Sequence, residues 1–280
     1  MIEGGDASGA VENLYSVYAY GCEGAVTISD CVITGGEVDT AGETSAVFAD
    51  TCSGGITVSG FAITGGINTA GGATYGININ DCPVVIDNNQ RIWGGSTPGG
   101  ISIGIFVNNP TNYDDVTISG NNTGIDCIAT SGNIIGTYIG IQLFYCGNVL
   151  LENNNVMSAH DGTASAEPRA LKLSVVTEAI IRNCRFESAA TGTVSSYCLD
   201  FNGIADHTVR MVNCHIVASC DSPASGITTS GIWGHCPNLY LYNNNIVAGP
   251  GGSSGMSCGL FLNTFSGRYT RLINNNFCCI

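Results

Sequence analysis

The sequence predicts an all-β solenoid, a parallel β-helix of about nine coils with a period near 30 residues. Three observations lead to this fold class: a repeat that returns every 28–33 residues, strand-like alternation inside each repeat, and a composition rich in turn-forming residues. Gly alone contributes 39 of the 280 residues, and Asn, Ser and Thr are also frequent. Because all four are weak helix formers, the composition argues against a helical protein.

The repeat consists of nine copies of an eight-residue unit, and self-similarity at a fixed period is typical of a solenoid. The copies are VTISDCVI (26–33), ITVSGFAI (56–63), VVIDNNQR (84–91), VTISGNNT (116–123), VLLENNNV (149–156), AIIRNCRF (179–186), VRMVNCHI (209–216), LYLYNNNI (239–246) and TRLINNNF (270–277). They cover nearly the whole chain, which predicts a single domain over residues 1–280, with a lead-in at 1–13 and coils at 14–277.

Each unit has the pattern of two short strands joined by a sharp bend. Its first and third positions are mostly apolar, which is typical of a strand with one buried face. The eighth position is apolar again, except at Arg91 and Thr123, and begins a second strand. The fifth position is Gly in two units and Asn in six: Asn88, Asn153, Asn183, Asn213, Asn243 and Asn274. Asn and Gly tolerate positive φ, so we expect the bend there and a ladder of stacked Asn side chains.

A further apolar segment precedes most of the units and supplies a third strand. These segments are AVFAD (46–50), GININ (76–80), GIFVN (104–108), GIQLF (140–144), ALKLS (170–174), CLDFN (198–202) and GLFLN (259–263). Coils of three strands, stacked about 4.8 Å apart, would form a rod on the order of 40 Å long. A β-propeller is the alternative fold, but its blades need about 40–50 residues, so a period near 30 is too short.

The repeat resembles that of a known superfamily. The segments VTISDCVITGG (26–36) and ITVSGFAITGG (56–66) are similar to the repeats of right-handed parallel β-helix, or pectin-lyase-like, proteins. Their ITGG ends and Asn-Asn or Asn-Cys corners are like those of bacterial surface proteins and phage tailspikes. The resemblance covers residues 14–277 and implies a right-handed coil and an extracellular, cell-surface or virion location. It implies no single activity, because lyases, hydrolases, epimerases, adhesins and tailspikes share the repeat.

Charge and hydropathy exclude two classes of partner. The chain carries 8 Lys and Arg against 22 Asp and Glu, a formal net charge of −14. A duplex-binding protein needs clustered basic side chains to displace counterions, so no nucleic-acid partner is expected. The apolar runs are shorter than the 18 or more residues of a membrane span, so no membrane insertion is expected. The chain begins MIEGGDASGA, without the basic and apolar stretches of a signal peptide.

Six of the 14 cysteines fall into two columns of equivalent positions in the repeat. One column holds cysteines thirty residues apart: Cys22, Cys52 and Cys82. The other column occupies the sixth position of the unit: Cys31, Cys184 and Cys214. We favour buried structural thiols. Disulfides between coils are the alternative, since adjacent Cα atoms would lie within the range of about 4.4–6.8 Å that a disulfide needs. No metal site is expected, because CxxC is absent, and no cofactor is predicted.

The loop at 157–172 contains the best catalytic candidates. It brings His160 and Asp161 close in sequence to Arg169 and Lys172, two of only eight basic side chains. A lyase that acts on uronic acids needs a cation for the carboxylate and a base for the α-proton. The alternative function is therefore a polysaccharide lyase or glycoside hydrolase that acts on acidic polysaccharide through this loop.

Loops that leave the coils on one side predict an elongated polar face. They are GGEVDTAGET (35–44), GGINTAGGAT (65–74), MSAHDGTASAEPR (157–169), SAATGTVSS (188–196) and ASCDSPASGITTSG (218–231). Such a face can hydrogen-bond sugar hydroxyls, or it can be only a solvated edge. Trp93 and Trp233 each precede a Gly and can stack on a sugar ring or cover the core.

The first functional hypothesis is therefore a structural or adhesive rod. The sequence ends at NNNFCCI (274–280), in the middle of a coil, without a recognisable C-terminal cap. Natural solenoids cover their unpaired terminal strands, so we expect either a longer parent chain or self-association into a spike or filament. In this hypothesis the rod belongs to a cell-surface, virion or filament assembly and binds a polysaccharide ligand through its stacked loop face.

Overall fold

The structure is a computed structural model that describes residues 1–7, 13–98, 100–121, 125–128, 138–159, 167–191, 194–202, 208–221, 224–235, 238–263 and 269–279. Within these residues the chain forms 29 β-strands, and every strand pairing is parallel. The strands wind into a β-solenoid of about eight turns with a period near 30 residues, which confirms the predicted fold class. We number the stacked levels of strands one to nine from the N-terminal end.

Face A of the solenoid is formed by the longest strands. From level one to level nine these are β3 (Leu14–Tyr20), β7 (Thr44–Asp50), β11 (Thr74–Asn80), β14 (Ser102–Asn108), the first half of β17 (Tyr138–Glu152), the first half of β19 (Arg169–Arg182), β21 (Ser196–Asn202), β24 (Thr229–His235) and β27 (Ser257–Leu262). The apolar segments predicted as third strands lie in these strands.

Face B follows face A across a corner. Its strands are β4 (Val26–Ser29), β8 (Ile56–Ser59), β12 (Val84–Asp87), β15 (Val116–Ser119), the second halves of β17 and β19, β22 (Thr208–Val212), β25 (Asn238–Tyr242) and β28 (Tyr269–Ile273). The predicted register is confirmed, because Val26 pairs with Ile56 and Ile56 pairs with Val84. At the other end of face B, Leu239 pairs with Thr270.

Face C closes each turn. Its strands are β1 (Ile2–Glu3), β5 (Val32–Thr34), β9 (Ala62–Thr64), β13 (Arg91–Trp93), β16 (Ile125–Ile128), β18 (Asn155–Ala159), β20 (Arg185–Thr191), β23 (His215–Asp221), β26 (Asn245–Ala248) and β29 (Asn276–Cys279). A small sheet beside it contains β2 (Asp6–Ala7), β6 (Glu37–Val38) and β10 (Ile67–Asn68). The polar Arg91 at the eighth position of its unit does not interrupt face C, because Ile92 takes the inward position and pairs with Ile63.

The core is a column of aliphatic side chains inside the coil. Alternate residues of each strand point inward, so Ile77 and Ile79 on face A meet Ile86 on face B and Ile92 on face C in one continuous buried cluster. All four are fully buried. Burying an aliphatic side chain of this size stabilises a fold by about 1.5–3 kcal/mol, so the repeated inward positions supply most of the driving force.

The bend between faces B and C has positive φ at every level, as predicted. The residues at this fifth position have φ between 52° and 79°: Asp30, Gly60, Asn88, Gly120, Asn153, Asn183, Asn213, Asn243 and Asn274. The corner between faces A and B has a second set that the sequence did not reveal: Gly21, Thr51, Asp81, Tyr145 and Val175. Left-handed backbone is rare for residues other than Gly and Asn.

The buried amide ladder forms one residue beyond the predicted position. At the fifth position, Asn213 donates one exposed hydrogen bond to Asn183, whereas Asn88 bonds to its neighbour Asp87. The ladder inside the corner is built by the sixth-position residues Asn89, Asn121, Asn154, Asn244 and Asn275. The physical reason is that the left-handed residue turns its own side chain to solvent and the next side chain into the coil.

The stacked loop face differs from its prediction because strands continue into the loops. The strands β20 and β23 extend to Thr191 and Asp221, which consumes part of the predicted loops at 188–196 and 218–231. The loops at 35–44 and 65–74 carry β6 and β10, which pair in parallel with each other. No helix that could cross a membrane occurs in the described part of the chain.

Candidate functional site

The outward side of face A carries an unusual concentration of aromatic residues. The chain has 11 Tyr, 9 Phe and 2 Trp. Ten of these lie on the outward side of face A and form what we call the aromatic strip: Tyr15, Tyr18, Tyr20, Phe48, Tyr75, Phe106, Phe144, Tyr197, Trp233 and Phe261. Because parallel strands in register place equivalent residues about 4.8 Å apart, the rings follow the axis of the rod.

At its N-terminal end the strip is a platform of stacked rings. The ring centroids of Tyr15 and Phe48 are 4.4 Å apart. Tyr18 stacks on Phe48 at 5.5 Å with an angle of only 5° between the ring planes. Tyr18 and Tyr20 are 58% and 63% exposed, so the outer surface of the platform is open to solvent. Exposed parallel rings of this kind offer a flat apolar surface to a ligand.

At its C-terminal end the strip has a second platform. Trp233 and Phe261 stack with their centroids 4.0 Å apart and their planes 11° apart. Tyr197 packs against Trp233 at 5.0 Å. The two platforms lie on the same face and are separated by six levels, or about 29 Å, between Phe48 and Trp233.

Charged groups occupy the strip between the two platforms. The Arg169 guanidinium donates to Asp200 at 2.7 Å and to the Glu167 carboxylate at 2.8 Å. The Arg169 and Asp200 side chains are only 15% and 11% exposed, so this ion pair is shielded from water, whereas the Glu167 side chain is 39% exposed. The guanidinium also lies over the Tyr197 ring, 5.7 Å from its centroid. The positive charge of Arg169 is therefore neutralised within the protein.

Lys172 and Gln142 face outward in the centre of the strip, where their backbones pair on adjacent levels. The Lys172 ammonium lies 5.4 Å from the centroid of the Phe144 ring. Among the described residues, neither Lys172 nor Gln142 has a hydrogen-bonding or ion-pair partner for its polar end. Gln142 is only 7% exposed. The Gln142 amide is not among the buried polar groups that lack a partner, so it remains in contact with solvent and can exchange a hydrogen bond with water for one with a polar ligand.

Burial governs the electrostatics of the strip. Burial, together with the nearby Arg169 guanidinium, holds the pKa of the Lys172 amine below its ordinary value, while Asp200 acts in the opposite direction. At the N-terminal platform, burial raises the pKa of the Glu43 carboxyl. Burial, and to a lesser extent Glu43, also raises the pKa of the Tyr75 phenol well above its usual range. These shifts indicate that several polar groups of the strip are partly removed from water.

The structure brings together some of the catalytic candidates from the sequence and leaves others undescribed. Arg169 and Lys172 lie on the first half of β19 and belong to the strip. His160 and Asp161 lie outside the described residues. The sequence did not indicate Asp200, which is the carboxylate that contacts Arg169 most closely.

The two tryptophans occupy different faces. Trp233 is part of the C-terminal platform on face A. Trp93 lies on face C, where the Arg91 guanidinium sits 5.3 Å from its ring centroid. The indole nitrogen of Trp93 is buried without a hydrogen-bonding partner. Only Trp233 is placed to act together with the other rings of the strip.

The cysteine columns belong to the corners rather than to the strip. Cys52 and Cys82 are fully buried, and the backbone NH of Cys52 contacts the Cys82 sulfur at 3.1 Å. In the described part of the chain, the cysteines carry free thiols: Cys22, Cys31, Cys52, Cys82, Cys146, Cys184, Cys198, Cys214, Cys220, Cys258, Cys278 and Cys279. The same residues contain no cluster of His, Cys, Asp or Glu that could hold a metal ion.

Most rings of the strip were not predicted from the sequence, because the strands are recognised by the apolar residues at their inward positions and the rings lie at outward positions. A usable signal was present in the third strand, where an aromatic residue directly follows the inward aliphatic residue. The pairs are Val17-Tyr18, Val47-Phe48, Ile105-Phe106, Ile232-Trp233 and Leu260-Phe261. Aromatic residues that repeat at the outward position of neighbouring strands predict an apolar platform at each end of face A.

Comparison with protein-family models, with curated proteins and with solved structures returned no match.

Proposed function

We propose that the protein is a rigid β-solenoid rod that binds an extended glycan along the aromatic strip. The observation that carries this proposal is the alignment of ten aromatic side chains with the unpartnered polar ends of Gln142 and Lys172 on one outward face. The ligand class follows from that combination of chemistry. A sugar ring presents an apolar face of C–H groups and an edge of hydroxyls, so aromatic planes and polar side chains together match it.

The geometry also favours a long ligand over a small one. The strip runs over nine levels, or about 38 Å, which exceeds the size of a single sugar. Its two stacked platforms are well separated, and the polar centre at Lys172 lies between them. A chain that touches both platforms and the centre would gain from several weak contacts at once.

A strip built on strands is suited to this role because its side chains are already ordered. Tyr197, Trp233 and Phe261 are held by parallel pairing on both neighbouring levels or by ring stacking. Ordering side chains at an interface costs about 0.5–1.5 kcal/mol each, and a pre-ordered strip avoids much of that cost.

The test is a binding screen against an array of neutral and acidic oligosaccharides. We expect the wild-type protein to bind at least one glycan class, and Trp233→Ala to weaken that binding about tenfold or more, equivalent to about 1.4 kcal/mol. Tyr113→Asn is the matched control, because Tyr113 is an exposed aromatic residue at the corner between faces A and B, outside the strip, and its backbone has a positive φ that Asn tolerates. No binding to any glycan, or unchanged binding by Trp233→Ala, would contradict the proposal.

A second candidate function is a polysaccharide lyase or glycoside hydrolase at the same centre. One observation favours it: Lys172 is partly buried with a lowered pKa, as a general base requires. Arg169 fits the role of substrate cation less well, because Glu167 and Asp200 already neutralise it. Release of reducing or unsaturated ends from acidic polysaccharide, lost in Lys172→Gln, would establish this activity.

We also propose that the rod acts within an extracellular, cell-surface, virion or filament assembly, by self-association or as part of a longer chain. The regular parallel stack supports this role, because each turn of the solenoid pairs with the next and the result is a rigid rod. Sedimentation of the purified chain over a concentration series tests self-association directly.

A further inference from the structure

The charges on the outward side of face A indicate which class of glycan the strip can accept. Among the described residues, the carboxylates on or directly beside the strip are Glu43, Asp50, Glu167 and Asp200. The cations of the same surface are Arg169 and Lys172. Carboxylates therefore outnumber cations there, on a chain whose formal net charge is −14. An acidic ligand would meet like charge both locally and from the whole molecule.

The hydrogen-bonding groups of Arg169 are already used within the protein. Its Nε donates to Asp200, and one Nη donates to the Glu167 carboxylate. The other Nη donates to the backbone carbonyl of Glu167 at 3.2 Å. A ligand carboxylate would have to displace one of these partners before it could form the two parallel bonds that a guanidinium offers. We therefore do not expect Arg169 to bind an acidic sugar.

The charge of Lys172 is offset by its neighbour on the next level. Lys172 and Asp200 pair in register, so their side chains leave the sheet about 4.8 Å apart. Burial and the Arg169 guanidinium lower the pKa of Lys172, whereas Asp200 raises it. An acidic group placed at Lys172 would gain the ammonium but would also approach the Asp200 carboxylate. A neutral hydroxyl oxygen can accept from the ammonium without that repulsion.

Uncharged amides occupy the outward side of face A between Phe48 and Lys172. They are Asn78 and Asn80 on level three, Asn108 on level four and Gln142 on level five. The Asn80 amide donates to the Asn78 oxygen at 3.3 Å, which orders this part of the row. Amides both donate and accept hydrogen bonds, as sugar hydroxyls do, whereas an ionised carboxylate only accepts. The row is therefore matched to a ligand whose polar edge consists of hydroxyls.

We propose that the aromatic strip selects uncharged glycans and that Asp200 is the residue that disfavours acidic ones. This inference rests on the proposed glycan-binding function and names the class of glycan. Asp200 acts in two ways, because it holds the Arg169 guanidinium in an internal ion pair and places a negative charge beside Lys172. Without that charge, the two cations would be opposed by Glu167 alone at this point of the strip.

Two pools of oligosaccharides that differ only in charge test the proposal. The neutral pool contains glucan, galactan, mannan and chitin oligosaccharides, and the acidic pool is the same mixture after oxidation of its C6 hydroxyls to carboxylates. Frontal affinity chromatography on the immobilised full chain measures each oligosaccharide separately. For the wild type at low salt, we expect the best neutral ligand to bind about tenfold or more tightly than its oxidised counterpart.

The outcomes separate this inference from the glycan proposal. Equal or tighter binding of the oxidised oligosaccharides, weakened by Trp233→Ala, would overturn the selection of uncharged glycans and leave glycan binding along the strip in place. Absence of binding to both pools would overturn the two together.

Asp200→Asn tests the named residue, because it keeps the shape of the side chain and removes its charge. We expect this variant to raise the ratio of acidic to neutral affinity about tenfold, equivalent to about 1.4 kcal/mol. The gain should shrink as salt is added, which a purely structural change would not produce. Asp221→Asn is the matched control, because it removes the same charge from an exposed position on face C, and its ratio should equal that of the wild type.

Glu167→Gln provides a second variant at a more exposed position, where a loss of folding is not expected. It also releases one side of the Arg169 guanidinium, so it should raise the same ratio. The factor should be smaller than for Asp200→Asn, because water screens the Glu167 carboxylate more strongly. An unchanged ratio in both variants, or an equal rise in Asp221→Asn, would overturn the role of Asp200.

Discussion

Val175 illustrates how a single residue carries strain in this fold. Its φ is 56°, in the left-handed region, at the corner between faces A and B. Equivalent corners contain Gly21 and Asp81, which adopt this backbone more easily than a β-branched residue does. The fold holds Val175 in place because the flanking halves of β19 are paired along both faces.

Replacing Val175 by Asn should therefore stabilise the protein. Relief of the strain is expected to raise the free energy of unfolding by about 1 kcal/mol, measured by urea denaturation. Val176→Asn is the matched control, because Val176 is buried in the core and an amide there should destabilise the fold. A Val175→Asn variant that is no more stable than the wild type would show that the corner is unstrained.

Asn154 illustrates the opposite case, a residue that stabilises its corner through hydrogen bonds. Its amide donates to the carbonyl of Ile118 at 2.7 Å, and its oxygen accepts from Asn121 at 2.9 Å. Asn154→Ala should leave buried polar groups unpaired and lower the free energy of unfolding by roughly 3 kcal/mol. The exposed Asn148→Ala should change it by less than about 0.5 kcal/mol. Equal effects of the two variants in urea denaturation would refute the role of the ladder.

Residue type could predict one set of corners and not the other. The Asn and Gly residues at the fifth position tolerate positive φ, so the bend between faces B and C could be predicted from the sequence. Thr51, Tyr145 and Val175 carry no such signal, because their positive φ is imposed by pairing on either side of the corner. The amide ladder was predicted at the fifth position but lies at the sixth, at Asn121 and Asn154. The direction of each side chain depends on the backbone of the bend, which the residue types alone do not give.

Among the structural elements, the corners contain buried cysteines that make the stability of the fold depend on pH under alkaline conditions. Burial raises the pKa of the Cys184 thiol to about 11 and, as the first of several causes, that of Cys214 to about 12. The pKa of Cys146 is likewise raised to about 12, chiefly by burial. Because the folded-state pKa exceeds the ordinary value of 9.0, the stabilisation is fully present below pH 9 and is lost as the pH rises towards 12.

Alkaline conditions should therefore destabilise the protein through these thiols. In the presence of reductant, we expect the urea midpoint to fall between about pH 9 and pH 11, and to fall less in Cys184→Ala than in the wild type. The comparison isolates the thiol from tyrosines that titrate in the same range. An identical pH dependence in both proteins would mean that Cys184 is accessible to water in the folded state.

The strands themselves were the most predictable elements. Inward positions such as Ile77 and Ile105 recur with a period of two and a spacing near 30 residues, which determines both the strands and their register. The outward positions of face A follow this rule only in part, since the column that contains aromatic residues at both ends has Phe106, Gln142 and Lys172 in succession at its centre. Residues of different types in one column can be recognised as neighbours only when the register of the strands is known.

At the scale of the whole molecule, the three faces have separate roles in this account. Face A carries the aromatic strip, face B carries ion pairs such as Glu152 with Arg182, and face C closes the turn with a mixed surface that includes Arg91 and His215. The inward residues are shared by all three faces, so a substitution on one outward face should leave the others folded. Substitutions on the outward sides of faces B and C should therefore leave glycan binding on face A intact.

Hydroxyl-radical footprinting with mass spectrometry tests the glycan proposal most directly. The chain would be labelled alone and with an equimolar pool of the array oligosaccharides, and oxidation of each aromatic residue would be compared. Binding along the strip predicts protection at both platforms together, at Tyr18 and at Trp233, with Tyr113 unchanged. Protection confined to the loops at 35–44 and 65–74, or no protection at all, would contradict the account.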